Sequence, residues 1–274
     1  MSEHERVVAF SGGKDSTAML LRLLELGERI DRIVFADTGF EFPELYEYIK
    51  RIEKHIGRKV EIVKPETTFE EWFSGKVTRG ELEGEVRGFP GRLHPCYWTR
   101  EAKIKPLEKL QKDAEIVYVG IAYDEKERMS SDPKSKIRYP LVEWKWTEQD
   151  CVNYLNKLGL LNPLYVNFNR LGCWFCPKQG INSLYVLWKL YPDLWSRLKD
   201  WERRQEETRG HGIFARPLCE IEADFEAGKK PKKLPKYDCW DGCEGVKRAY
   251  KATQTGLYVF NCGERWLGQD EARR

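Results

Sequence analysis

The 274-residue chain lacks any run of 18 or more apolar residues, so no membrane-spanning helix is expected. Its first residues, MSEHERVV, hold no apolar signal region. Export is therefore not expected, and a cytoplasmic location is. A large charge of one sign is also missing: the net charge is +3, too near zero to argue for nucleic acid by itself. No internal repeat is visible. What the chain does have is eight cysteines. In an unexported protein these read as metal or redox chemistry before structural disulfides. The length allows one large domain or two smaller ones.

Apolar segments and helical patterns alternate through the first half. Short buried strands are expected at Val7 to Phe10, Ile30 to Ala36, Val60 to Val63 and Ile116 to Gly120. Helices are expected from Ser16 to Leu26, ended by Gly27, and from Pro43 to about Ile56. That order predicts an α/β fold, a doubly wound parallel sheet covered on both faces. Residues 74–95 interrupt it with five glycines and Arg79, Arg87 and Arg92. They read either as a mobile surface insertion or as a lid carrying arginines over a phosphate ligand. Beyond residue 145 the texture becomes helical. Thr147 is a candidate N-cap and Gly159 a stop, and Pro192 divides a second helical region. Leu187, Leu190, Leu194, Trp195, Leu198 and Trp201 recur at helical spacing and read as core. The expected organisation is thus a nucleotide-binding α/β domain over 1–145 and a helical, cysteine-rich region over 146–274. The lysine run GKKPKKLPK at 228–236 reads first as a solvated linker, with a nucleic-acid contact as the minority reading.

The stretch VVAFSGGKDSTAMLL carries the chemistry of the first half. A strand, a glycine-rich turn and a helix N-terminus make a phosphate site, because backbone N–H groups and the helix dipole converge there. Gly12 and Gly13 let the backbone turn inward. Ser11, Ser16 and Thr17 add hydroxyls, and Lys14 a positive charge. Asp15 repels a bare phosphate, which suggests Mg²⁺ or a steering role. The loop fits neither G-x-x-x-x-G-K-[ST] nor G-x-G-x-x-G.

These residues resemble the pyrophosphate loop of the ATP pyrophosphatase superfamily, whose members cleave ATP between the α and β phosphates. FADTGFEFPELYEYI resembles the Asp-Thr-Gly-x-x-Phe-Pro segment of phosphoadenosine phosphosulfate (PAPS) reductases and their relatives. Asp37, Thr38 and Gly39 then lie at a strand end in the nucleotide crevice, unless Asp37 merely caps the next turn. YVGIAYDEKER resembles the family's Gly-Ile-Arg-x-x-Glu-x-x-x-Arg element. Gly120 is placed where a ribose approaches the backbone, and Glu125 and Arg128 are candidate active-site charges. Ala122 stands where the family has arginine, and Lys126 or an insertion arginine would have to compensate. The pattern through YPLVEWKWTEQDCVNYL, NPLY and GCWFCP is especially similar to iron–sulfur sulfur-transfer and DNA phosphorothioation members. The resemblance implies adenine nucleotide alpha hydrolase-like topology over roughly residues 6–180.

Cys173 and Cys176 form C-x-x-C, a spacing that lets two thiolates face one metal. Cys96, followed by YWTREAKIKPL, resembles the cysteine segment of iron–sulfur adenylyl sulfate (APS) reductases, except that Pro95 replaces the first cysteine of the tandem pair. A [4Fe–4S] cluster on Cys96, Cys173 and Cys176 is the leading reading. Zinc, a redox dithiol and inert buried thiols are the alternatives. A fourth ligand would come from Cys219, Cys239, Cys243 or Cys262, with Cys219 favoured. Trp174 and Phe175 would shield the cluster, and Cys151 reads as core. Cys239 and Cys243 form a further pair, suited to the fourth ligand, a separate metal or a persulfide. Cys262, in FNCGERW, is either catalytic or structural.

Three functions follow from the resemblance. The first is ATP cleavage that adenylates an acceptor, coupled to sulfur transfer from a persulfide carrier or thiol reductant. The second is thiol-dependent reduction of APS or PAPS with release of sulfite. The third is a nucleotide- or cluster-bound sensor or partner subunit. Whether the acceptor is tRNA, DNA or a small molecule stays open, as does the oligomeric state.

Overall fold

The structure, a computed structural model, describes residues 5–91, 96–130, 132 and 135–231, with only the backbone at 110–113. Arg92, Cys239, Cys243, Cys262 and most of the lysine run lie outside the described residues.

Strand β1 (Glu5–Ala9) runs into helix α1 (Lys14–Glu25), then β2 (Arg32–Ala36), α2 (Pro43–Ile56) and β3 (Glu61–Val63). Two further strands, β4 (Ala114–Val119) and β5 (Ile137–Arg138), complete a five-stranded sheet in the order β3-β2-β1-β4-β5. Every pairing is parallel. Successive residues of a strand face opposite sides. Val8, Ile33 and Phe35 accordingly enter one large apolar cluster, while Val7, Val34 and Val117 enter a smaller one with Leu107. Both faces are covered, which makes the sheet doubly wound, as expected. Strand order reverses about β1, flanked by β2 on one side and β4 on the other. The ends of β1 and β4 therefore open onto the crevice where ligands bind in such sheets.

The expected helix boundaries have visible causes. Pro43 opens α2, and Gly57 closes it with φ of 66°. Helix α7 (Glu148–Lys157) starts at a capping box between Thr147 and Asp150. Pro192 separates α8 (Ile181–Leu190) from α9 (Pro192–Arg209), and Leu187, Trp195 and Leu198 are buried as the spacing implied. Other elements were not foreseen. These are α3 (Phe69–Ser74), the short α6 (Pro140–Glu143), α10 (Leu218–Glu226), and a continuous helical run after Cys96. That run comprises α4 (Tyr97–Thr99), a π-helical turn at Arg100–Ile104 and α5 (Lys105–Asp113). The large cluster includes Val8, Trp98, Leu155 and Phe225, so residues on both sides of the expected boundary at 145 share one core. No helix among the described residues is long and apolar enough to cross a membrane.

The glycine-rich insertion forms a small hydrogen-bonded hairpin. Val77 N donates to Glu85 O at 2.9 Å, Gly84 N to Val77 O at 2.9 Å, and Arg87 N to Gly75 O at 2.7 Å. Arg87 is committed to structure. It donates to the carbonyls of Trp72 and Lys76, both at 2.9 Å, and lies over the Trp72 ring. Arg79 is exposed. At the far end, Phe89 N donates to the buried Gln205 at 2.7 Å. Arg209 pairs with Glu85, fastening the hairpin to α9.

Candidate nucleotide and cysteine site

The glycine loop is held from below by two residues far away in sequence. Asn162 is wholly buried and donates to Gly12 O at 3.0 Å. The Tyr165 hydroxyl accepts from Lys14 N at 3.0 Å. Within the loop, Ser11 and Ser16 join hydroxyl to hydroxyl at 2.9 Å, and Thr17 donates to Gly13 O at 2.8 Å. Gly12 has φ of 69°, and a Cβ there would strike Leu45 at 2.6 Å. Gly120 lies against this turn. A Cβ on it would come within 2.8 Å of the Ser16 backbone. Glycine at 120 thus admits the first turn of α1 against the end of β4, which is a packing reason independent of any ribose.

The mouth of the loop is acidic. Lys14 is 3% exposed and donates to Asp15 at 3.0 Å and Glu148 at 2.7 Å. Burial pulls its pKa down, but Tyr165, Asp15 and Glu148 outweigh that and hold the ammonium charged. Burial also raises the pKa of Asp15; Lys14 opposes this, while Glu148 and Glu125 add to it. Asp15, Glu125 and Glu148 offer carboxylate oxygens within 4.8 Å of one another. Arg128 pairs with Glu125, and Lys126 stacks on Tyr123. Of the charges expected here, Lys14, Asp15, Glu125 and Arg128 come together. Glu148 was not anticipated, although it sits directly after the foreseen N-cap Thr147.

The Asp-Thr-Gly segment lies at the end of β2. The Asp37 carboxylate accepts from Gly39 N and from the Tyr46 hydroxyl, both at 2.8 Å. It therefore does make the local turn contact weighed from sequence. Gly39 has φ of 77° with open space around its Cα. Thr38 reaches the other way. Its hydroxyl lies 3.3 Å from Cys173 Sγ and donates to Glu41 at 3.0 Å. Its carbonyl accepts from Trp98 Nε1 at 3.2 Å. Trp174 N donates to Phe40 O at 2.9 Å. The nucleotide segment and the cysteine segment are therefore in direct contact.

The C-x-x-C turn is closed by Cys176 N donating to Cys173 O at 3.1 Å. Gln179 clamps it by donating to the carbonyls of Cys173 and Trp174. Trp174 and Phe175 point into the core at 2% exposure each. Phe175 packs on Phe40, Phe69 and Phe89 with ring centroids 3.9, 5.0 and 5.0 Å away. They anchor the turn in the aromatic core. Burial, with Glu41, pushes the Cys173 thiol up to about 12, against Lys103 and Thr38. Burial also raises Cys176, with a further contribution from Cys96, while the Lys178 backbone, Arg170 and the Lys178 charge oppose it. Cys96, at the N-terminus of α4, acts electrostatically on Cys176 and packs, partly buried, against the same core. Cys219 is exposed near the start of α10. Cys151 is fully buried on α7, and the nearby Asp15 raises its thiol pKa beyond the effect of burial. Glu41 and Lys103, an ion pair at 3.2 Å beside Cys173, were missed from sequence.

An uncharacterized protein of Methanocaldococcus jannaschii is 29% identical over 222 residues, covering 75% of this chain and 43% of the relative. The chain thus spans less than half the length of that relative. The adenosine 5'-phosphosulfate reductase of Staphylococcus haemolyticus is 26% identical over 170 residues, covering 56% of this chain and 62% of the relative. Among solved structures, the U34-tRNA thiolase NcsA from Methanococcus maripaludis, with its [4Fe-4S] cluster, superposes with a TM-score of 0.42 at 18% identity. That match covers 85% of this chain and 83% of the thiolase. The phosphoadenosine phosphosulfate reductase domain profile matches residues 5–179, the span that holds the glycine loop, Asp37, Gly120 and all three grouped cysteines. The chain belongs to the phosphoadenosine phosphosulfate reductase domain family.

Proposed function

We propose that this family member is an ATP pyrophosphatase-type sulfur-transfer enzyme. One observation carries the choice of ATP over a sulfonucleotide: the loop that would receive phosphates is lined by Asp15, Glu125 and Glu148, and Lys14 is already paired with two of them. Such a mouth repels a bare anion and accepts a polyphosphate that arrives with a divalent cation. Mg²⁺ favours oxygen ligands and usually takes one or two carboxylates together with phosphate oxygens, which fits this donor set.

The chain's own groups would then act as follows. The N–H groups at the start of α1, and the helix dipole, take the pyrophosphate as it leaves. Lys14 offsets the charge that develops on it. Asp37, Thr38 and Gly39 hold the nucleoside at the end of β2. An acceptor oxygen attacks the α-phosphorus, pyrophosphate departs, and the acceptor becomes adenylated. A sulfur nucleophile then displaces AMP, which leaves with that oxygen.

The sulfur half rests on the contact between Thr38 and Cys173. The donors of Cys96, Cys173 and Cys176 are soft thiols, suited to an iron–sulfur cluster or zinc. When bound, a [4Fe–4S] cluster would supply an iron site for the transferred sulfur. Anaerobic assay with Mg·ATP, hydrosulfide and pooled tRNA, DNA or small-molecule acceptors tests the proposal. AMP and pyrophosphate formed together support it. Sulfite released from APS or PAPS by a thiol, with no ATP cleaved, refutes it in favour of the reductase reading.

A further inference from the structure

We infer that the exposed rim around Cys96, Cys173 and Cys176 is a docking surface for a nucleic acid that serves as sulfur acceptor, entering as a single strand or an unpaired loop. The inference rests on the sulfur-transfer reading of the site, and it names the acceptor class which that reading leaves open.

The rim carries cations that the fold does not use. Arg79, Arg100, Arg170 and Arg197 are the described arginines that neither pair with a carboxylate nor donate to a backbone carbonyl among the described residues. All of these except Arg79 stand beside the cysteines. Arg100 N donates to Cys96 O at 3.3 Å, one turn beyond that thiol. Arg170 comes shortly before the C-x-x-C turn, and the Arg197 guanidinium lies 4.9 Å from the centre of the Trp174 ring in that turn. Lys178 closely follows Cys176 and likewise has no acidic partner among the described residues. The charges of Arg170 and Lys178 both reach Cys176. Arg100, Arg170, Lys178 and Arg197 are all exposed. Nearby carboxylates do not cancel them. Glu41, Glu101 and Asp200 are held by Lys103, Lys105 and Arg203. Asp193, a turn before Arg197, leaves the rim net positive.

Tyr97 adds an aromatic face. It directly follows Cys96, is 59% exposed and makes no ring contact among the described residues. Cations beside a free aromatic ring suit unpaired nucleotides, since the cations take phosphates and the ring takes the face of a base. A small anion would engage one or two of these cations. Cations carried by the helical run after Cys96, by the C-x-x-C segment and by α9 suit a chain of phosphates instead. Charge also divides the crevice. Its loop end presents Asp15, Glu125 and Glu148, and its cysteine end these cations. A phosphate chain is therefore steered to the cysteines and away from the loop, which Mg·ATP enters with its own cation.

The test is fluorescence anisotropy with the full chain, purified anaerobically, over a range of salt. The probes are a labelled single-stranded RNA, the same sequence as DNA, the RNA as a duplex, and labelled inorganic polyphosphate. A single strand should bind more tightly than the duplex or polyphosphate, and the tighter of the RNA and DNA arms names the acceptor's sugar. Replacing Arg170→Gln and Lys178→Gln together should flatten the slope of log affinity against log salt by about 1.4, at about 0.7 per phosphate contact on a single strand. Tyr97→Ala should weaken single-strand binding about tenfold and leave polyphosphate binding unchanged. Arg22→Gln removes a cation paired with Glu25 on α1 and should change neither. Thermal melting and iron content check that each variant is folded and loaded. No strand binding by wild type overturns the inference. So does polyphosphate or duplex binding as tight as that of single strands, or an equal loss in Arg22→Gln and the rim variants. Product analysis with Mg·ATP on the same preparation separates the two claims. AMP and pyrophosphate formed with a small-molecule acceptor, with no strand bound, sinks only the docking surface. Strand binding lost in the rim variants, without ATP cleavage, upholds the docking surface and sinks the proposed reaction.

Discussion

Gly120→Ala tests how the crevice is built. A methyl at this position falls 2.8 Å from both Cα and N of Ser16, whereas ordinary contact begins at 3.4 Å. The obstacle is main chain in the first turn of α1, so the helix must retreat by about 0.6 Å rather than rotate a side chain away. Overpacking of this kind costs about 1–3 kcal/mol. The same retreat stretches the Ser16 hydroxyl contacts to Ser11, at 2.9 Å, and to Gly13 O, at 3.1 Å. The phosphate-binding amides therefore move with it. Urea unfolding should report the stability loss, and calorimetry with Mg·ATP a weaker complex. Gly57→Ala is the control, because it has φ of 66° and nothing within 4 Å. It should lose roughly 1–2 kcal/mol through backbone strain alone and keep its ATP affinity. Wild-type stability and wild-type ATP affinity in Gly120→Ala would refute the packing account.

Three further outcomes follow from the same contacts. Tyr165→Phe removes the buried acceptor for Lys14 N and should cost about 1–2 kcal/mol in urea unfolding. Lys14→Met leaves Asp15 and Glu148 without their shared cation. It should destabilise by about 3 kcal/mol, with part of the loss recovered on adding Mg²⁺. Cys96→Ser, Cys173→Ser and Cys176→Ser should each strip iron and labile sulfide from anaerobically purified protein, as read by elemental analysis.

The sheet was legible because β1, β2 and β4 carry short apolar runs, VVAF, IVFA and IVYV, each followed within three residues by glycine. The caps at Thr147 and Gly27 and the break at Pro192 were legible because capping depends on local chemistry. The helical run after Cys96 was not, since REAKIKPLEKLQKD has few apolar residues to mark a face. Strand β5 has two residues, too short for any period to appear. The site divided in the same way. The glycine loop, Asp37, Glu125 and the cysteines lie in compact motifs. Glu148 and Tyr165 reach Lys14 across 134 and 151 residues of sequence, and the packing of the later helical segments on α1 brings them there. Glu41 was hidden inside a motif whose neighbours drew the attention. The contacts that Arg87 and Phe89 make within the insertion were hidden too, because nothing in its glycine-rich pattern marks them.

The most direct measurement is the identity of the products formed from Mg·ATP by anaerobically purified protein given hydrosulfide and an acceptor pool. Cleavage between the α and β phosphates predicts AMP and pyrophosphate in equal amounts, with sulfur incorporated into the acceptor and all three lost in Lys14→Met. ATP left intact while a thiol releases sulfite from APS would contradict it.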